Sequence, residues 1–265
     1  MENIANKQRI IIKVGTSTLT HRTGRMNMRR VEKLVRIMAD IQNSGKELIL
    51  VSSGAMGLGM ARMGLKERPQ DTPTKQACAA VGQCELMYMY DKHFGEYGLT
   101  VAQILLTKYI LETERKVNVQ NTINKLIEHG IIPVINENDT VAIDELELEM
   151  GEHDSLAAIV GGLADADLLI IMSDIDGLYD SNPNTNPDAK LIPYVERITD
   201  EIRSLAGGAG SSLGRGGMIT KINAAEIANA KGIDMVILNG RNPSVLYDLF
   251  DGKQVGTVFR ANSAE

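Results

Sequence analysis

Short runs made almost wholly of apolar residues alternate along this chain with stretches whose apolar residues recur every three or four positions. Ile10, Ile11, Ile12 and Val14 form the first run and read as a buried strand that ends in Gly15-Thr16-Ser17-Thr18. A helical pattern follows, with Met28, Val31, Leu34, Val35, Met38 and Ile41 on one face and Gly45 near its end. Residues 47–51 (ELILV) make a second strand closed by SSGA. A long helix is predicted from near Pro73, a residue suited to a first helical turn, to about His93. Strand 101–106, a helix to His129 stopped by Gly130, and strands 131–135, 168–172 and 235–238 complete the alternation.

Strands that are apolar throughout must be covered on both faces, which predicts an α/β fold: a mainly parallel sheet with helices on both sides, a three-layer sandwich. Two segments break the pattern. Residues 145–150 (ELELEM) alternate with period two, as a half-exposed antiparallel strand does, and 181–198 is rich in Pro and Asn before a short strand, as an excursion from the sheet is. Neither an internal repeat nor a linker is visible, so residues 1–265 read as one domain with a core of about 9–259.

Composition narrows the ligands. Hydrophobic residues make up 43% of the chain, enough for a substantial core. With 28 basic against 34 acidic residues the net charge is −6, and aromatics are few, which argues against a nucleic-acid partner and for small molecules. The apolar run at the N-terminus is too short for a signal peptide, and no stretch approaches the roughly 20 apolar residues of a membrane span. Cys78 and Cys84 lie six residues apart in the long predicted helix, a rise of about 9 Å that no disulfide spans. Two thiols buried in packing, in a cytoplasmic protein, is the expectation.

Ligands of open α/β sheets bind beyond the carboxyl ends of the strands. Four separate strands are followed there by small, polar or charged residues: Lys13 with Gly15, Thr16 and Ser17; Ser52, Ser53 and Gly54; Asn136, Glu137, Asn138, Asp139 and Thr140; Ser173, Asp174, Asp176 and Gly177. Each has an ordinary alternative. Lys13 can be a plain strand-end lysine, SSGA a helix cap, NENDT a solvated turn, SDIDG a turn or an incomplete metal site. Asp154 can be the N-cap of a helix begun by HDSLAA, with His153 a surface residue. The stretch GRGGMITK (214–221) adds a glycine-rich entry to a helix, whose free N–H groups suit a phosphate, and it places Lys221 about one turn in. It is neither a P-loop nor a dinucleotide fingerprint. Two lysines, Lys13 and Lys221, held apart by one carboxylate, Asp174, would flank a phosphoryl group in transfer, where positioning and cations dominate catalysis.

IIIKVGTSTLT, VSSGAMGLG, AAVGQ, VINENDTVA, SDIDGLYDSNP and LGRGGMITK, in this order, resemble the amino-acid kinase family. Within it they resemble the branch that phosphorylates the side-chain carboxylate of L-glutamate. The resemblance runs from about Arg9 to Phe259. It implies ATP as co-substrate with Mg²⁺ held mainly through ATP's phosphates, without a dedicated ligand cluster. It further implies the first step of proline synthesis, an unstable acyl phosphate passed to a glutamyl-phosphate reductase, proline as feedback inhibitor, and a homo-oligomer, dimer or tetramer. Lys13 and Lys221 would stabilise the transferred group and Asp174 would orient both. Lys13, Ser173, Asp174, Arg215, Gly216, Gly217, Met218, Ile219, Thr220 and Lys221 would contact ATP. Ser53, Asn136, Asp139, His153 and Asp154 would hold L-glutamate.

The chain departs from the pattern at three points. His153 stands where the family usually has Asn, and Arg215 where many relatives have Thr. It ends at Glu265, without the C-terminal PUA domain of many bacterial relatives. The rival readings are a sibling kinase with another acceptor and a non-catalytic sensor of small ligands. Asp139, offered to a free amine, favours an unacylated amino acid. The joint presence of Lys13, Asp174 and Lys221 favours an enzyme.

Overall fold

The computed structural model describes residues 2–21, 23–141, 153–183, 185–206 and 217–261. They fall into two compact units, one of Met1–Lys13 with Met150–Glu265 and one of Val14–Glu149.

The first unit is built on strands β1 (Arg9–Val14), β5 (Leu168–Ser173), β7 (Asp234–Asn239), β8 (Thr257–Phe259) and β6 (Tyr194–Val195), adjacent in that order. β5 and β7 run parallel, with Ile170 opposite Val236 and Ser173 opposite Asn239. β8 is antiparallel to β7 and parallel to β6. Every residue of β5 is buried, which requires cover on both faces. Helices α8 (His153–Leu163) and α10 (Met218–Asn229) pack against each other. Among their buried residues, Asp154, Ala157, Ala158 and Gly161 on α8, and Lys221, Ala224, Ala225 and Ala228 on α10, form matching sets; Leu156, Val160, Ile222 and Asn229 are buried beside them. Each set has the i, i+3, i+4, i+7 spacing of a single helical face. Small residues let the helices approach, and each buried face carries a charged side chain near its N-terminal end. The excursion expected at 181–198 is tied by an isolated antiparallel bridge from its Leu191 back to Tyr179, just ahead of it, before two-residue β6.

The second unit carries β2 (Glu47–Ser52), β4 (Ile132–Glu137) and β3 (Val101–Leu106) in the order β3-β4-β2, all parallel. Helix α3 (Met28–Asn43) buries Val31, Leu34, Val35, Met38 and Ile41 of the face expected of it, while Met28 in its first turn is exposed; it starts at Asn27, whose side chain accepts a hydrogen bond from the Arg30 N–H. The long helix α5 (Thr72–Gly95) begins at Asp71, which accepts from the Thr74 N–H at 2.9 Å, and α7 (Lys116–Glu128) stops before Gly130. Between β2 and α5 lies α4 (Ala55–Arg62). A Cβ placed on Gly59 would stand 1.7 Å from the Cys78 carbonyl oxygen, and one on Gly82 would stand 1.7 Å from that of Ala55. Backbone therefore meets backbone where α4 and α5 cross, a contact only glycine permits.

One expectation changes, and one alternative reading falls. Cys78 is buried but Cys84 is exposed. Six residues at about 100° each turn the second thiol well away from the first, so one helix cannot bury both on the same face. The SSGA segment does not cap α4 through a serine: Gly54 takes that position with φ 102°, and both serines face inward. The strand expected at 145–150 lies outside the described residues.

Candidate active site

Lys13 is the fifth residue of β1, where a side chain at a strand's carboxyl end can leave the core yet stay out of solvent. It is 9% exposed, Lys221 is 6% exposed, and Asp154 between them is 1% exposed. Lys13 Nζ stands 2.7 Å from Asp154 Oδ1, and Lys221 Nζ stands 3.2 Å from Asp154 Oδ2. Thr220 Oγ1 lies 3.2 Å from the same Oδ2 and 2.9 Å from the Gly217 carbonyl oxygen. Burial alone would raise the Asp154 pKa. The two ammonium groups outweigh that and hold the carboxyl below its usual range. Burial, with the Lys13 charge adding to it against an opposing pull from Asp154, pushes His153 down to about 4, so its imidazole is neutral at pH 7.

Two ammonium groups meet on one carboxylate in a place with little water, and fixed cations there favour an arriving anion. The cluster also lies where α10 begins, at Gly217, and in the first turn of α8, so two helix N-termini add their partial positive charge.

Asp174 does not lie between the lysines. It is exposed, one residue beyond β5, and accepts a 3.3 Å hydrogen bond from Ser173 Oγ. The carboxylate that bridges Lys13 and Lys221 is Asp154. As α8 starts at His153, Asp154 lies inside the first turn, on the helix's buried face. Asp176, also exposed, accepts from Asn239 Nδ2 at 2.7 Å and from the Tyr179 hydroxyl at 3.1 Å, which braces the turn after β5. Gly217, Met218 and Thr220 are half-buried and Ile219 is exposed at the start of α10; Arg215 and Gly216 lie outside the described residues.

In the unit of Val14–Glu149, the expected acceptor residues follow β2 and β4. Ser53 is buried, and both its N–H and its Oγ donate to the Val14 carbonyl at 3.1 Å. Asn136 is buried near the end of β4; its Oδ1 accepts from the Glu137 N–H and its Nδ2 donates to Gln83 Oε1, each at 2.9 Å. Asp139 is half-buried in the turn beyond β4. Ser52 Oγ and the Tyr90 hydroxyl are 2.9 Å apart and both buried, a hydrogen bond against which burial still raises the Tyr90 pKa. Gln83 and Tyr90 sit on α5, seven residues apart among Ala79, Leu86 and Phe94. Sequence reasoning assigned neither a role. A polar residue at a buried helical phase is the signal that finds them, as it finds Asp154.

A mainly parallel α/β sheet with two buried lysines on one carboxylate suits a phosphotransferase, and the chain belongs to the amino acid kinase family, whose model matches residues 8–239. Solved structures share the fold: UMP kinase from Ureaplasma parvum has a TM-score of 0.66 at 17% identity, covering 96% of this chain and 99% of that one. Isopentenyl phosphate kinase from T. acidophilum has a TM-score of 0.62, also at 17% identity, over 96% and 100%. Among curated relatives, glutamate 5-kinase of Clostridium perfringens is 53% identical over 99% of this chain and 98% of its own. Glutamate 5-kinase of Listeria innocua is 49% identical over 100% and 97%.

Proposed function

We propose that this chain transfers the γ-phosphoryl group of ATP to the side-chain carboxylate of L-glutamate, giving L-glutamyl 5-phosphate for proline biosynthesis. The observation that carries the reading is the buried cluster in which Lys13 and Lys221 both meet Asp154, 2.7 Å and 3.2 Å from its two oxygens. A phosphoryl group in flight spreads negative charge over its peripheral oxygens, and fixed ammonium groups stabilise that charge better than water, which must reorganise. Asp154 holds both lysines in place, so their side-chain entropy is already spent when substrate arrives.

A carboxylate oxygen of glutamate attacks the γ-phosphorus, the bond to the bridging oxygen breaks, and ADP leaves with that electron pair. The acceptor is ionised at neutral pH, so no general base is required. Ser173, Asp174 and the entry to α10, from Arg215 to Lys221, are assigned to ATP. Ser53, Asn136 and Asp139 are assigned to glutamate, with Asp139 receiving its ammonium group; His153, beside Lys13, is a neutral acceptor-side contact. Mg²⁺ would ride on ATP's phosphate oxygens and shield their charge. The two ammonium groups of Lys13 and Lys221 would repel a dication. Among the described residues no three His, Cys, Asp or Glu side chains stand together to hold one. An exposed thiol at Cys84 suits a reducing cytoplasm.

The product is a mixed anhydride that hydroxylamine intercepts. The test is therefore ATP-dependent hydroxamate formation with Mg²⁺ present, comparing L-glutamate, L-aspartate and N-acetyl-L-glutamate. Product from L-glutamate alone is expected. Product only from another acceptor moves the reading to a sibling kinase, and none from any of them, with ATP still bound, ends it.

A further inference from the structure

The motif AAVGQ (79–83) places Gln83 on the buried face of α5, and its carboxamide has one assignable orientation. The Glu137 N–H donates to Asn136 Oδ1, so Asn136 must turn its Nδ2 outward. Gln83 can answer that donor only with its oxygen, at 2.9 Å, which leaves Gln83 Nε2 pointing elsewhere. That nitrogen is buried with no hydrogen-bond partner among the described residues, on a residue only 9% exposed. A buried donor without an acceptor is costly, and structures keep one where something arrives to satisfy it.

Its surroundings say what arrives. Gly82, the preceding residue, is pressed against the carbonyl of Ala55, directly after Ser53 and Gly54 at the end of β2. Gln83 itself touches Asn136, near the end of β4. It thus stands at the carboxyl ends of two adjacent parallel strands, the side of the sheet where small ligands bind. A neutral N–H donor at such a place, already backed by Asn136, suits a carboxylate oxygen.

We propose that Gln83 belongs to the acceptor site: Oε1 fixes the Asn136 carboxamide, and Nε2 donates to a carboxylate oxygen of the amino-acid substrate. The inference rests on the glutamate-kinase reading above and adds a residue to its specificity. A site whose buried donor is left unpaired by a wrong acceptor rejects that acceptor, so Gln83 helps exclude ligands lacking a carboxylate there.

Two variants separate the two halves of its role. Gln83→Glu keeps an oxygen for Asn136 but replaces the donor with a second, repelling oxygen; Gln83→Met, close in shape, removes both. In the hydroxamate assay, KM for L-glutamate should rise at least about tenfold in each, and more in Q83E than in Q83M. The KM for ATP and kcat should stay within about threefold. Stabilisation of the fold by L-glutamate, read as a Tm shift, should shrink in the same order, and it serves as the readout if one variant folds poorly. A Q83E enzyme close to the original beside a damaged Q83M would mean that Gln83 only anchors Asn136, overturning the donor claim. An unchanged glutamate KM in both, or equal losses in kcat and both KM values, overturns the whole inference. Should the unaltered protein make no glutamyl hydroxamate, the functional reading itself fails and this inference falls with it.

Discussion

Lys13 and Asp154 form an ion pair of 2.7 Å in which neither partner is more than 9% exposed, and the second oxygen of that carboxylate is shared with Lys221. The carboxylate is thus a partner common to both lysines. Replacing it with the isosteric amide in Asp154→Asn would leave two buried ammonium groups facing each other. We expect a stability loss of about 3–5 kcal/mol and a fall in turnover of at least about a hundredfold. Urea denaturation and the hydroxamate assay would measure the two. Full stability and full activity in D154N would remove the cluster from the mechanism.

Lys221 supplies a buried charge whose Nζ donates to Asp154 Oδ2 at 3.2 Å. Lys221→Ala should lower kcat by about a hundredfold to a thousandfold while the glutamate-induced Tm shift is kept. A rate near that of the unaltered protein would show that the α10 lysine does not meet the transferred group.

His153 gives a pH dependence with a definite sign. Its pKa is about 4 in the folded chain against about 6.5 when unfolded. Between those values the unfolded chain binds a proton that the folded chain refuses, so stability falls as pH drops from 6.5 towards 4. The loss is on the order of 3 kcal/mol at most. Asp154 acts in a lower window, because its depressed pKa keeps its contribution until the pH is below the usual 3.8. A pH series of denaturation midpoints should show the His153 slope, and His153→Asn should abolish it.

The crossing of α4 and α5 predicts an asymmetric response to the smallest possible substitution. Gly82→Ala forces a methyl to within 1.7 Å of the Ala55 carbonyl oxygen and should cost about 3 kcal/mol or more. Gly95→Ala, with no atom within 4 Å of the new methyl, should be within about 0.5 kcal/mol of neutral. Thermal denaturation of the two, side by side, makes the comparison.

Much of the fold is legible because β1, β5 and β7 are runs of Ile, Leu, Val and Met with no polar interruption long enough to suggest another period. Lys13 and Lys221 were legible as a pair because each follows a local rule, one for strand ends and one for helix entries. The carboxylate that joins them was not. Asp174 sits at a strand end, where such a residue is looked for, while Asp154 reads locally as a helix cap. Only the helical phase it shares with Ala157, Ala158 and Gly161 marks it as buried. The partner of a buried charge is set by tertiary approach, which local sequence does not encode. Cys84 is the reverse case: the helical phase that turns it away from buried Cys78 is present in the sequence.

The absence of a methyl group at Gly82 acts as a detent for α5. With backbone seated on backbone at Gly59 and Gly82, the helix cannot roll about its axis without collision. Its rotational setting is therefore decided by two residues that have no side chains. Ala77, Val81, Cys84 and Tyr88, on its solvent side, can then vary without turning Gln83 and Tyr90 out of register. Evolution can rewrite one flank of this rod freely while the other stays dialled to the same bearing.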